Sequence, residues 1–197
     1  MDETPPLTAG DRLFRTAHPG ASILPFDSTD VPYSTLYHEA GDDLLAKAAS
    51  QRVSSFFLFP ALYCYRHAVE IALKDIIALW DRIQRREPEV RRHHKLSTLW
   101  PLARPAFEDA WPEGDPEVLD ALRNLISELD VVDPDGWHFR YGVDRKGRGR
   151  ELPPELEGVD LSNLALVMRN LIWTLSGTAT MLEEYMGHRA DQECGYA

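Results

Sequence analysis

Cysteine is nearly absent from this chain. Cys64 and Cys194 are its only two, they lie far apart, and no Cys-x-x-Cys occurs. That excludes a disulfide scaffold and a paired-cysteine metal site, and it suits a reducing cytosol. No apolar run reaches the ~18 residues of a membrane span. The first residues, Met1-Asp2-Glu3-Thr4-Pro5-Pro6, are acidic where a secretory leader is basic. These features together lead us to expect a cytoplasmic protein with no membrane partner. Positive charge is also scarce. Lys and Arg number 21 against 32 Asp and Glu, a net charge of -11. The molecule as a whole therefore repels nucleic acid, although a local basic patch can still hold phosphates.

Several catalytic signatures are missing too. There is no Gly-x-Ser-x-Gly elbow and no phosphate-cradling glycine loop ahead of a helix. Lys146-Gly147-Arg148-Gly149-Arg150 has glycines but lacks the strand and helix around them. A di-iron bundle needs inward Glu-x-x-His pairs on two helices. The chain has none, and His67-x-x-Glu70 is a single reversed pair. His93 and His94 stand among arginines, which repel a cation. The expectation is no metal and no cofactor.

What is present is helical patterning. Hydrophobic residues make up 44% of the chain and charged residues 27%, a globular composition. Residues 1–31 hold prolines and glycines without sustained periodicity and read as an irregular arm. Pro32 to Ala49 reads as a first helix with Leu36, Leu44 and Leu45 inward. Pro60 to Arg86 reads as the central helix, because Leu62, Tyr65, Val69, Leu73, Ile76, Trp80 and Ile83 recur every three or four residues. Its polar strip is narrow: Arg66, His67, Glu70, Lys74. A basic connector leads to a short helical stretch at Leu96–Trp100. Asp115-Pro116 supplies an N-cap and a first-turn proline for a helix through Leu129, and Asp133-Pro134-Asp135-Gly136 makes a turn. Alternation in Trp137-His138-Phe139-Arg140-Tyr141 predicts a strand, extended to a β-hairpin over 137–152. Asp160 caps a last helix from Leu161 to Tyr185. The predicted fold is all-α: an antiparallel four- to five-helix bundle over residues 32–188, with that β excursion and a flexible tail at 189–197.

Three segments in order resemble the HEPN superfamily of helical domains. They are Arg66-His67-Ala68-Val69-Glu70-Ile71-Ala72-Leu73-Lys74, His93-His94-Lys95-Leu96-Ser97-Thr98-Leu99, and Phe139-Arg140-Tyr141-Gly142-Val143-Asp144. Gly142 stands where that family often has proline. The resemblance covers roughly residues 60–187. It implies a four- or five-helix bundle that often dimerises, in RNA-directed stress or defence systems, among them RNA-cutting toxins and non-catalytic RNA-binding or scaffold forms. The cutting members carry arginine, four to six residues, then histidine. Arg169-Asn170 begins such a pattern, but Thr174, Leu175 and Ser176 occupy the histidine places. Arg123-Asn124 fails in the same way. Arg12 to His18 lies in the arm, and Arg86 to His93 spans Pro88, so neither has the right setting.

Charge is distributed unevenly. Residues 82–95 hold six basic and two acidic side chains, and residues 140–150 hold five and one. Residues 105–135 hold ten acidic side chains and only Arg123. We expect an RNA- or nucleotide-binding protein, with Arg66, Glu70, Lys74, Arg92, His94, Arg140, Tyr141 and Arg148 as binding residues. Arg140 is expected to pair with Glu70 or Asp130. The alternatives are a ribonuclease using Arg140 with His94 or His138, and a non-enzymatic dimerisation or scaffold module. A homodimer is expected through the Val118–Leu129 and Leu161–Tyr185 helices, with a protein partner as a further option.

Overall fold

A computed structural model describes residues 32–50, 55–87, 93–141, 156 and 158–194, so the expected arm over 1–31 lies outside it. Among the described residues every regular element is helical. They are α1 (Tyr33–Ser50), α2 (Ser55–Ile83), α3 (Leu96–Ala110), α4 (Pro116–Val132), α5 (His138–Tyr141) and α6 (Leu161–Cys194). Helix α2 lies at the centre and touches α1, α3, α5 and α6, while α4 packs on α3.

The centre of α2 is nearly free of solvent. Ala61, Tyr65, Ala68, Val69, Leu73 and Ile76 are fully buried at three- and four-residue steps. Each buried large aliphatic side chain contributes about 1.5–3 kcal/mol, so this stripe dominates the stability of the bundle. Helix α6 answers it with Met168, Leu171, Ile172, Leu175 and Leu182. Helix α1 presents His38, Gly41, Leu45 and Ala48. Leu36, expected inward, is exposed because it lies off that face. At Gly41 the tyrosine ring of Tyr65 packs so closely that a Cβ would come within 2.6 Å of it. Only glycine lets α1 approach α2 there.

Helix α3 runs ten residues beyond the expected Leu96–Trp100, through Pro101 and Pro105. A proline inside a helix removes a hydrogen bond and costs about 3 kcal/mol. Both prolines lie on the exposed side, where the freed carbonyls meet water. The opposite side buries Leu96, Leu99, Trp100, Ala103, Ala106 and Phe107. Six buried positions at helical spacing outweigh two prolines. Pro60, expected to open α2, likewise lies inside it on an exposed position.

Among the described residues the expected β-hairpin is not seen. Residues 138–141 make one helical turn, and residues 142–152 lie outside the described residues. The cause is local capping. The Asp133 carboxylate, fully buried, accepts hydrogen bonds from His138 N at 2.9 Å and Phe139 N at 3.4 Å. Asp135 accepts from Trp137 N at 3.2 Å. Aspartates that bond the backbone two to six residues on outcompete the β preference of aromatic residues. The turn buries His138 and Phe139 and exposes Arg140 and Tyr141, in place of the two-and-two alternation of a strand.

The expected caps are present. Asp115 accepts from Glu117 N at 2.9 Å ahead of Pro116. Asp160 accepts from Ser162 N at 2.9 Å and Asn163 N at 3.1 Å. Helix α6 continues to Cys194, past the expected end at Tyr185 and into the segment read as a tail. No described helix is long and apolar enough to cross a membrane.

Candidate functional site

The polar strip of α2 divides into a buried part and an open part. Arg66 is only 2% exposed, yet it has a partner for every face of its fork. Its Nε donates to the Asp133 carbonyl at 2.7 Å, Nη1 to Glu70 Oε2 at 2.9 Å, and Nη2 to the carbonyls of His94 and, at 3.4 Å, Pro134. One guanidinium thereby joins the central helix, the connector ahead of α3 and the turn ahead of α5. Gly136 completes the seat. Its φ of +68° is the left-handed region that favours glycine, and a Cβ there would lie 3.1 Å from Arg66 Nη1.

Glu70 is the second hub. It accepts from Arg66, from Lys74 Nζ at 2.7 Å and from His94 Nδ1 at 2.9 Å. Burial pushes its carboxyl up, but the bonds from Lys74 and His94 and the nearby charges prevail and hold it below the ordinary range. Lys74 is partly exposed, and the His94 side chain is 58% exposed.

The open part begins one turn earlier on α2. His67 stacks on Tyr63 with ring centroids 5.7 Å apart and meets Tyr37 edge-on at 4.5 Å. The Arg140 guanidinium sits over Tyr63, Trp137 and Tyr141 at 5.7, 5.9 and 5.6 Å, and its Nε donates to the Gly136 carbonyl. Half-burial pushes Tyr63 up and His67 down, so the His67 ring is neutral at neutral pH. The expected pairing of Arg140 with Glu70 or Asp130 does not occur. Glu70 is taken by Arg66, Lys74 and His94, while Asp130 accepts from Leu96 N at 2.8 Å and caps α3. The bridging arginine is Arg66.

Of the expected site residues, Arg66 and Glu70 form the buried network, with Lys74 and His94 at its edge. Arg140 and Tyr141 lie on the exposed ring cluster next to it. Arg92 and Arg148 lie outside the described residues. The described ends of both basic stretches, His94 and Arg140, arrive at the same part of α2, between Tyr63 and Glu70. The sequence reading passed over Tyr63, Tyr37 and Trp137 as functional residues. Tyr63 precedes His67 by one turn, a spacing already contained in the helix expected from Pro60. Trp137 precedes Tyr141 by one turn, which shows only if 138–141 is helical.

His138, offered as a partner for Arg140 in catalysis, is buried beside Phe59. Among the described residues no cluster of His, Cys, Asp or Glu could hold a metal ion. No family model, no curated protein and no solved structure matches the chain.

Proposed function

We propose that the chain is a HEPN-like protein that binds single-stranded RNA or nucleotides on the face formed by Tyr63, His67, Lys74, His94, Trp137, Arg140 and Tyr141. The observation that carries this is the Arg140 guanidinium spread over three aromatic rings within 6 Å, with no ion pair among the described residues. Aromatic faces stack bases, and unpaired cations beside them hold phosphates. Lys74 to Tyr63 spans eleven residues of α2, about 16 Å at 1.5 Å per residue, enough for two to three nucleotides. The stress or defence setting rests on the three sequence segments alone.

A second reading, a metal-independent ribonuclease, is favoured by the His94–Glu70 pair. An exposed imidazole held at 2.9 Å by a buried carboxylate is oriented as a general base or acid is. His67, neutral and less than two turns away, could serve as the other member. Incubation with total RNA, with and without a chelator, separates the readings. Binding without cleavage supports the first. Chelator-insensitive cleavage lost in His94→Ala supports the second. No binding at low salt defeats both and favours a scaffold.

A further inference from the structure

A second feature lies away from that face, in a groove between α4, α6 and the end of α3. It holds about 540 Å³. Its walls are Trp111, Val118, Leu122, Trp173 and Met181. Trp173 is 79% exposed and Trp111 52%. Large exposed aromatics on one apolar groove mark protein-binding surfaces. Gly177, in the middle of α6, also lines the groove and is exposed. A Cβ there would meet nothing within 4 Å. The fold itself therefore does not require glycine at 177, although glycine in a helix interior is unfavourable. Bare backbone on the wall of an open groove permits close approach by another backbone.

Among the described residues that line the groove the charged side chain is an acid. Asp115 lines it, and Glu113 and Glu117 are exposed next to it. The nearest cations of α3 and α4 are already engaged, Arg104 with Glu108 at 2.8 Å and Arg123 with Asp120 at 3.2 Å. Trp173 to Met181 spans eight residues, about 12 Å of helix, the length of two turns of a docked helix.

We propose that this groove is a docking site for a basic amphipathic helix of a partner protein, its apolar stripe between Trp111 and Trp173 and its cations on the acidic rim. A second copy of this chain fits less well. A two-fold contact that paired the two acidic rims would meet like-charge repulsion, and α4 brings no free cation to relieve it among the described residues.

The test uses the full chain and two labelled synthetic helices of about 16 residues, one of leucine and lysine and one of leucine and glutamate. Fluorescence anisotropy should show saturable binding of the lysine peptide, weakened by salt, and none of the glutamate peptide. Trp173→Ala should weaken it by about tenfold or more. Gly177→Leu should obstruct the groove and abolish it while leaving the melting temperature unchanged or higher. Equal binding of both peptides overturns the proposal. So does binding unaffected by Gly177→Leu, or light scattering that shows a dimer dispersed by Trp173→Ala.

Discussion

Two arginines on neighbouring surfaces of the same bundle have opposite surroundings. Arg66 is buried, and every donor direction is met by a carbonyl or by Glu70. Arg140 is exposed and lies on rings, with its charge uncompensated by any described carboxylate. The first is expensive to remove, because a buried charge and its partners depend on one another. The second should be cheap to remove, because no described carboxylate depends on it. Both were expected from the sequence to be binding residues, so residue identity alone did not separate the buried arginine from the exposed one. Solvent access and the number of partners did.

The sharpest way to break the contrast is Arg66→Ala. It leaves Glu70 with Lys74 and His94 alone, takes the donor from the carbonyls of Asp133, His94 and Pro134, and should cost about 3 kcal/mol, read by urea denaturation. A loss below about 1 kcal/mol would place Arg66 with Arg140. Gly41→Ala tests the packing below the same helix. With a Cβ within 2.6 Å of the Tyr65 ring, overpacking of about 1–3 kcal/mol is expected. Tyr65→Phe should cost about 1 kcal/mol, from the 2.6 Å hydrogen bond to Asp42.

Acid should probe Glu70. Its carboxyl titrates lower in the folded chain than in the unfolded one, so its contribution is present above the ordinary value of 4.5 and is lost as pH falls through the depressed folded value. In Glu70→Gln the fall in melting temperature below that pH should be shallower than in wild type, although stability at neutral pH is lower. An identical acid limb in both proteins would remove Glu70 from the pH response.

Arg140→Ala should have the smallest effect on stability, within about 0.5 kcal/mol. It should weaken single-stranded RNA binding and flatten the slope of log affinity against log salt by about 0.7. A large fall in melting temperature with RNA binding unchanged would make Arg140 a structural residue after all.

The legible part of the fold was local. The α2 stripe could be read because Leu62, Tyr65, Val69, Leu73 and Ile76 repeat at the helical period. The caps at Asp115 and Asp160 could be read because they act over two or three residues. The length of α3 could not. Pro101 and Pro105 are breakers by propensity, and only the buried row opposite them, facing other helices, reverses that. Likewise Trp137–Tyr141 carries a strand-like alternation, and the deciding factor was the buried Asp133 carboxylate that caps its amides.

The sequence by itself determined that the bundle is helical, where most of its described helices lie, and which polar residues share the strip on α2, since these follow from periodicity and short-range capping; it erred at 137–141, where it read a strand. Only the tertiary structure decided which of those residues are interior and which face solvent. Arg66 reaches carbonyls 28, 67 and 68 residues away, and Arg140 meets a ring on a helix that precedes it by most of the fold. Burial is set by those distant neighbours, and it is burial that turns one guanidinium into a structural bond and leaves the other as a charge in search of a partner.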